Sequence, residues 1–248
     1  VATPKTHNSH AALERGYKEA AANHAGPIPA QLDAGIRALN VDVYEVEGEL
    51  VACHGYCELG SQPAAEVWAE IGAFLDAHPR EVVLLHLQDG APLPTTVASL
   101  EASSLVDRAY VHEGTWPTLG AMIDADTRVV LSGSGGDPAA PWYHHGRDLT
   151  YATNYGYPSV HEIDCALRYE RFEGGLFEVV HTFLDPIAWE HLSEEGNPYL
   201  EERVAACEAE VGAKANLLTV DWFRHGDVVG VAARANGVEP GERVVPGR

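Results

Sequence analysis

Two short segments near the start of the chain carry residues that could perform acid–base chemistry. The first is Thr6-His7-Asn8-Ser9 and the second is Cys53-His54-Gly55. An imidazole titrates near neutral pH, so one histidine can take a proton from an attacking hydroxyl while the other protonates the leaving oxygen. Such a pair suits the cleavage of a phosphodiester. We therefore expect His7 and His54 to lie on one rim of a barrel.

Carboxylates and amides follow at the ends of other predicted strands. Asn40 and Asp42 lie two residues apart in an alternating segment, so their side chains point to the same face. Gln88-Asp89 and Asp221 also end predicted strands. A nearby carboxylate can orient an imidazole or hold a divalent cation that stabilises pentacoordinate phosphorus. We expect these side chains to surround the same site.

The acidic composition excludes some partners. Asp and Glu number 37 against 16 Lys and Arg, which gives a formal net charge of −21. Nonspecific binding to nucleic acid or to strongly anionic bilayers depends on clustered Lys and Arg. No apolar run approaches the roughly 18 residues that a membrane-spanning helix needs. We expect no nucleic-acid partner and at most peripheral contact with a membrane.

The four cysteines indicate whether the protein resides in an oxidising or a reducing compartment. Cys53 and Cys57 lie four residues apart, whereas Cys165 and Cys207 are isolated. A cysteine metal site usually has a second Cys or His pair at similar short spacing. Two disulfides, 53–57 and 165–207, are the preferred interpretation, and they imply an oxidising compartment. The chain begins at Val1 rather than at methionine, as a processed secreted protein does, so an extracellular location is expected.

Strand-like and helix-like segments alternate along the chain. Apolar patterns predict strands at 36–44, 50–53, 81–88, 128–132, 177–183 and 217–223. Helix signals predict a helical turn at 30–34 and helices at 63–78, 92–103, 116–125, 198–211 and 227–235. Such alternation indicates βα units around a parallel sheet. The prediction is an α/β fold, a single-domain TIM barrel of about seven or eight strands over residues 1–248, somewhat distorted, with its chemistry at the carboxyl ends of the strands.

The order and spacing of these motifs resemble one family. Thr6-His7-Asn8-Ser9, the stretch 31–44 and Cys53-His54-Gly55 look like the X domain of phosphatidylinositol-specific phospholipase C. Segments 81–89, 116–122, 165–168 and 219–223 resemble secreted bacterial and plant proteins with this domain. The similarity covers most of the chain, from His7 to about Gly237. It implies a distorted TIM barrel and cleavage of the glycerol–phosphate bond by the inositol 2-hydroxyl, which yields a cyclic inositol phosphate.

The resemblance also implies roles for individual residues. His7 would be the general base and His54 the general acid, and Asp221 would be the carboxylate partner of an active-site histidine. Asp42 is a further catalytic candidate. In the calcium-dependent branch of the family, the metal ligands occupy the positions of Asn8, Asn40, Asp42 and Gln88.

The sequence departs from both branches of the family. Acidic residues are expected at positions 40 and 88, where this chain has amides. Amide oxygens can ligate calcium but bring no charge, so a weak calcium site is expected. The metal-independent bacterial branch instead has an arginine at the position of Asp42. Asp89 and Arg168 are the candidates that could compensate for the missing charged side chain.

Candidate substrate-binding residues lie in the second half of the chain. Aromatic side chains between 142 and 157 could stack on a polyol ring or touch a lipid, but they are equally typical of a core. The candidates are Trp142, Tyr143, Tyr151, Asn154, Arg168 and His181. Other histidines are expected at the surface (His10, His24, His78 and His191), or in the core with a hydrogen bond (His86).

The residues and the family resemblance together allow three functions. The first is a secreted phospholipase C-like phosphodiesterase that acts on a phosphatidylinositol headgroup. The second keeps the barrel and acts on a glycerophosphodiester, a sphingolipid-type headgroup or a phosphorylated glycan. The third is a catalytically weak binding protein, which the amides at 40 and 88 favour and the two histidines oppose. A monomer is expected.

Overall fold

Strands and helices alternate along the chain, as the computed structural model shows for residues 1–183 and 189–238. The strands are β1 (Thr3–Thr6), β2 (Ala38–Val46), β3 (Glu49–Cys53), β4 (Ser61–Pro63), β5 (Val83–Asp89), β6 (Val129–Gly133), β7 (Tyr143–His145), β8 (Thr150–Ala152), β9 (Leu176–His181) and β10 (Ala215–Val220). The helices are α1 (Ile28–Ala34), α2 (Ala64–Ala77), α3 (Leu93–Glu101), α4 (Leu119–Asp124), α5 (Gly146–Leu149), α6 (Trp189–Gly196), α7 (Leu200–Val211) and α8 (Val228–Ala235). Of the predicted domain 1–248, residues 184–188 and 239–248 lie outside the described residues.

Eight of these strands form a continuous parallel sheet. Their order is β7-β6-β5-β2-β1-β10-β9-β8, and each neighbouring pair runs parallel. Within the described residues, no ladder joins β7 to β8 at the two ends of this order. The sheet curls into a barrel with an open seam between these two strands. The predicted distorted barrel is therefore confirmed.

The main core lies between the sheet and its helices. Trp68 and Ile71 of α2 are fully buried against the face of the sheet that carries Leu39 and Val41. Successive residues of a strand point to opposite faces. The alternate residues of β2, including Asn40, therefore face the interior of the barrel. The apolar face of β2 thus fixes the direction of its polar face.

A hairpin carries His54 to the rim. β2 continues to Val46, and β3 returns antiparallel to it with Val43 opposite Ala52. β3 is therefore a return strand of a hairpin rather than a strand of the parallel sheet. Because of this return, β3 ends with Cys53 beside Asp42 of β2, and His54 follows directly.

Residues 8–25 pack against the carboxyl ends of the strands. His10 and His24 are 1% and 0% exposed, so the expectation that they lie at the surface is wrong. Tyr17, Ala22 and Trp222 form a small second core with neighbouring alanines in this region. The segment is poor in large apolar residues, and a residue pattern therefore gave no sign that it would be buried.

The predicted helix α1 is longer at its start than expected. It begins at Ile28 and has Pro29 in its first turn, where a missing N–H leaves no hydrogen bond unmade. The predicted end is confirmed, because Gly35 takes the left-handed conformation with φ of 109°. Thr118 caps α4 by accepting a hydrogen bond from the N–H of Ala121 at 3.1 Å.

Both predicted disulfides are present, with Cα–Cα distances of 5.1 Å for 53–57 and for 165–207. The first closes a ring around His54-Gly55-Tyr56. The second ties the segment beside β8 to α7. Among the described residues, no helix combines the length and apolar character that crossing a bilayer would require.

Candidate active site

His7 and Asp221 lie side by side because their strands are neighbours. β1 pairs with β10 so that Thr6 lies opposite Val220, and the next residue of each strand emerges at the rim. Nδ1 of His7 donates to Oδ1 of Asp221 at 3.0 Å. Burial opposes protonation of the ring, but the Asp221 carboxylate outweighs it and raises the pKa of His7 above 6.5. The side chain of His7 remains 30% exposed, so a substrate can reach it.

His54 has the opposite electrostatic character. Its Nδ1 donates to the carbonyl of Ala21 at 3.1 Å. The ring is held mainly by neutral groups and is partly buried, and this burial lowers the pKa of His54 below 6.5. The pKa values of the two histidines are thus shifted in opposite directions.

Asn8 joins His54 to Asp42. When the amide nitrogen of Asn8 faces Asp42, it donates to the two carboxylate oxygens at 3.2 and 3.3 Å, and Oδ1 accepts from Nε2 of His54 at 3.1 Å. Asn8 takes a positive φ of 46°, which asparagine tolerates better than most residues. Its backbone N–H donates to Oδ1 of Asn40 at 3.1 Å. One asparagine therefore links the acid candidate to both interior side chains of β2.

The opposite orientation of the Asn8 amide suits a cation. Oδ1 of Asn8 then faces the carboxylate oxygens of Asp42 at the same 3.2 and 3.3 Å, a separation typical of two oxygen ligands that share one hard cation. Gln88 lies opposite Asp42 in the sheet and is exposed. In the part of the chain that the structure describes, no group of three or more His, Cys, Asp or Glu residues is arranged around a metal position. Of the four predicted metal ligands, Asn8 and Asp42 are thus brought together by their side chains, while Oδ1 of Asn40 accepts from the backbone of Asn8.

The charge balance at the site is acidic. Burial raises the pKa of Asp42 to about 6, although His7 acts in the opposite sense. Among the described groups whose charge acts on His7, Asp42 and His54, Lys5 is the single basic side chain outside the histidines. Lys5 lies deeper in the barrel and donates to Glu178 at 2.7 Å. A phosphate at this site would thus depend on a cation or on protonated histidine.

A family model decides what kind of chain this is. The model PI-PLC X 1 matches residues 5–156, more than half of the 248 residues. The chain belongs to the PI-PLC X family. The match includes His7, Asn8, Asp42 and His54 and ends before Asp221.

Two relatives of this PI-PLC X chain have been compared over most of its length. The PI-PLC X domain-containing protein At5g67130 of Arabidopsis thaliana is 27% identical over 233 residues, which cover 84% of this chain and 53% of the plant protein. The chain therefore spans about half the length of that relative. PI-PLC X domain-containing protein 1 of Arthroderma benhamiae is 21% identical over 236 residues, covering 85% of this chain and 77% of the fungal protein.

Solved bacterial structures share the fold of this PI-PLC X chain. The H258Y mutant of phosphatidylinositol-specific phospholipase C from Staphylococcus aureus superposes with a TM-score of 0.67 at 12% identity, covering 96% of this chain and 92% of that one. The phosphatidylinositol-specific phospholipase C of Listeria monocytogenes gives 0.63 at 15% identity, covering 95% and 93%. At these identities the likeness establishes the barrel.

Three of the substrate-binding candidates are engaged in packing. Tyr143 is 2% exposed, and its hydroxyl donates to Oδ1 of Asp89 at 2.6 Å. Tyr151 is also 2% exposed and stacks on Phe177 with ring centroids 5.3 Å apart. The ring of Trp142 lies 6.1 Å from that of Tyr143. The structure does not bring these rings to the His7–His54 pair.

The other candidates have partners of their own. Nε2 of the buried His181 donates to the carbonyl of Gly196 at 3.0 Å. The guanidinium of Arg168 lies 4.4 Å above the ring of Tyr155. Asn154 is half-buried, and its backbone N–H donates to the carbonyl of Ala166 at 2.9 Å. Arg168 thus has the rings of Tyr155 and Tyr169 as neighbours, and Asp89 accepts from Tyr143.

Sequence reasoning missed three residues that touch the site. Ala21, Asn23 and His24 lie within 17 residues of His7 and form hydrogen bonds to His54, Asp221 and His7. Nothing in their residue types singles them out. The repeated Asn and His near a predicted histidine base are the one available signal, and it is weak.

Proposed function

We propose that this chain is a secreted phosphodiesterase of the phospholipase C type that uses His7 as general base and His54 as general acid. An internal hydroxyl of the substrate loses its proton to His7 and attacks phosphorus. The bond from phosphorus to the leaving oxygen breaks, and His54 protonates that oxygen. The products are a cyclic phosphate and an alcohol. The observation that supports this most is the pairing of His7 with Asp221 at 3.0 Å beside a second histidine of opposite pKa shift.

The hydrogen bonds of each ring support these roles. Because Nδ1 of His7 donates to Asp221, its Nε2 carries the lone pair that accepts the proton of the hydroxyl. The raised pKa of His7 makes it the stronger base of the two. Because Nδ1 of His54 donates to Ala21, the Nε2–H of its protonated form is the proton for the leaving oxygen.

A divalent cation such as calcium is part of the proposal. When bound, it would neutralise charge on a phosphoryl oxygen. Asn8 and Asp42 would hold it, with Asn40 and Gln88 as further donors. With a single carboxylate, we expect calcium affinity in the weak range typical of extracellular sites, with a dissociation constant of roughly 10⁻⁴–10⁻³ M.

The acidic site favours a substrate with one phosphate. A diester such as phosphatidylinositol carries a single negative charge, whereas additional phosphates would meet Asp42 and Asp221 without a basic side chain to pair with. A glycerophosphodiester, a sphingolipid-type headgroup or a phosphorylated glycan remain the alternative substrates. Two disulfides and a relative called an uncharacterised secreted protein in Arthroderma benhamiae, 27% identical over 120 residues, support an extracellular location.

Phosphorus NMR tests this function directly. Phosphatidylinositol and glycerophosphoinositol are incubated with the protein, first with calcium and then with chelator, and His7→Ala serves as the control. A cyclic phosphate resonance that the control lacks supports the proposed reaction. Its persistence in chelator removes the cation from the proposal. Silence toward a full headgroup panel, with the protein folded, contradicts the enzymatic function.

A binding protein is the second candidate function. The amides at positions 40 and 88, where calcium-dependent relatives are expected to have carboxylates, favour it. Calorimetry with the same headgroups separates the two functions, because a binding protein retains headgroup affinity without product formation.

A further inference from the structure

Residues 21–24, here called the bridging segment, contact both histidines and the carboxylate. The segment lies between two short turns and is buried throughout. Its three hydrogen bonds to the site are from Nδ1 of His54 to the carbonyl of Ala21 (3.1 Å), from Nδ2 of Asn23 to Oδ1 of Asp221 (2.9 Å), and from Nε2 of His24 to the carbonyl of His7 (2.7 Å). Three strands that are distant in sequence are thus tied to four consecutive residues.

The bridging segment is itself held firmly. The backbone N–H groups of Asn23 and His24 both donate to the carbonyl of Ala11, at 2.8 and 3.1 Å. Asn23 and His24 are 3% and 0% exposed, and Ala22 is fully buried in the small second core. Such a segment can transmit position, because buried and hydrogen-bonded backbone has little freedom to adjust.

The residue after the carboxylate is also fixed by this segment. Trp222 has a positive φ of 47°, which bulky side chains rarely adopt and which surrounding contacts must maintain. Its N–H donates to the carbonyl of Asn23 at 2.7 Å. Asn23 therefore contacts the turn through its backbone and the Asp221 carboxylate through its side chain.

We propose that Asn23 is a positioning residue for the acid–base pair. Its amide holds the Asp221 oxygen that receives the Nδ1 proton of His7, while the Ala21 carbonyl holds the Nδ1 proton of His54. The bridging segment thereby keeps both rings in the Nδ1–H form, so the Nε2 lone pair of His7 is available to the substrate and that of His54 faces the amide of Asn8. The expected effect on kcat rests on the proposed function. The expected tautomers of the two rings do not depend on it.

The tautomers can be read in the unmodified protein without substrate. Nitrogen-15 NMR of the histidine rings, at a pH where both are neutral, is expected to report Nδ1–H for His7 and His54, because the partner of one nitrogen sets the tautomer. An Nε2–H tautomer at either ring overturns the proposal. Since no turnover is needed, this result stands whether or not the chain cleaves a phosphodiester.

The variant Asn23→Ala tests positioning against simple stabilisation. Asn236→Ala is the matched control, because it removes an amide that makes hydrogen bonds of 2.7 and 2.8 Å to Ala2 far from the site. Asn23→Ala is expected to lower kcat about tenfold, the lower end of what the loss of an orienting partner costs, with KM changed by less than about twofold. It is also expected to weaken the low-field Nδ1 proton signal of His7.

The possible outcomes distinguish a positioning role of Asn23 from a role in stability alone. Asn23→Ser, which keeps a hydroxyl donor in a smaller side chain, should recover part of kcat and provides the measurement if the alanine variant does not fold. An Asn23 variant that loses thermal stability like Asn236→Ala, yet keeps kcat and the His7 signal, contradicts the positioning role. If the unmodified protein turns over no substrate, the His7 signal in the variant decides the matter alone.

Discussion

The two sides of the barrel rim use similar residues for different purposes. On the side of β10, β1 and β2, polar side chains converge: His7, Asn8, Asp42, His54 and Asp221 lie within one connected set of hydrogen bonds and charges. On the side of β6 to β9, the aromatic and basic side chains pair with one another or fill the core. The difference shows that convergence, rather than residue type, marks the functional side.

The physical reason lies in how each side is covered. The first side is overlaid by residues 8–25, which contribute hydrogen-bond partners in place of apolar bulk. On the second side, large rings such as Tyr143 and Tyr151 gain more from burial than from exposure to a polar ligand. The predictions below test whether function is confined to the first side.

The largest effect is expected from the histidines themselves. His7→Ala and His54→Ala should each lower turnover by about 10²–10⁴-fold, because each removes a proton-transfer group. The measurement is release of cyclic phosphate, with circular dichroism to show that the fold is kept. His145→Ala, at the end of β7 on the second side of the rim, is the control and should leave turnover within about threefold, as is usual for a residue outside the chemistry. Substantial turnover in both active-site variants contradicts the mechanism.

Asp221→Asn should come next, with a loss of roughly 10–100-fold, as for an orienting partner. The variant also changes the pH profile of kcat/KM, which reports the pKa values of the acid and the base. Asp221 raises the pKa of His7, and the higher of the two pKa values bounds the alkaline limb. That limb should therefore move to lower pH, while the acid limb, which His54 sets, should move less, because the charge of Asp221 is only a minor influence on the pKa of His54. If the alkaline limb does not move, Asp221 does not set the pKa of His7 during turnover, and its proposed role is contradicted.

Asp42→Asn should lower turnover and yet stabilise the fold at high pH. Burial raises the pKa of Asp42 from 3.8 to about 6, so the folded state binds this proton more tightly than the unfolded state. The folded state therefore loses stability as pH rises from about 4 to about 6, by roughly 1–3 kcal/mol, and the loss remains above pH 6. Urea unfolding should show the variant to be more stable than the unmodified protein at pH 8 and nearly equal at about pH 3.5.

Two controls sharpen this result. Calcium should raise the melting temperature of the unmodified protein at pH 8 but not that of Asp42→Asn, because ligand binding stabilises the folded state by mass action. Asp89→Asn changes a carboxylate at the end of β5 that accepts from Tyr143 of the second side and should show no gain at pH 8. Equal behaviour of the two variants would remove the distinction between the two sides.

The smallest kinetic effect is expected from Tyr143→Phe. The change removes the hydrogen bond from the hydroxyl to Asp89, at 2.6 Å, and should lower the free energy of unfolding by about 1 kcal/mol. Turnover and KM should stay within about twofold, as for a surface or packing residue away from the chemistry. A tenfold rise in KM would show that substrate binding extends to the second side.

Residue patterns were enough to predict most of the fold. The alternation in β2, the helical spacing in α2 and the glycine after α1 reflect interactions within a few residues along the chain, which a sequence displays directly. The parallel barrel and the two disulfides were predicted and are confirmed. The hairpin role of β3 was not, because strand direction depends on which partner a strand meets.

The sequence by itself determined which chemistry is available: two histidines near the start, carboxylates at strand ends and an excess of negative charge. Only the tertiary structure decided which of these residues meet. It joined His7 to Asp221 across 214 positions and buried His24 and Asn23 beside them, and it paired Arg168 with Tyr155 and His181 with Gly196. The physical reason is that strand order and the packing of residues 8–25 arise from contacts between distant parts of the chain, and residue types and local spacing do not encode those contacts one by one.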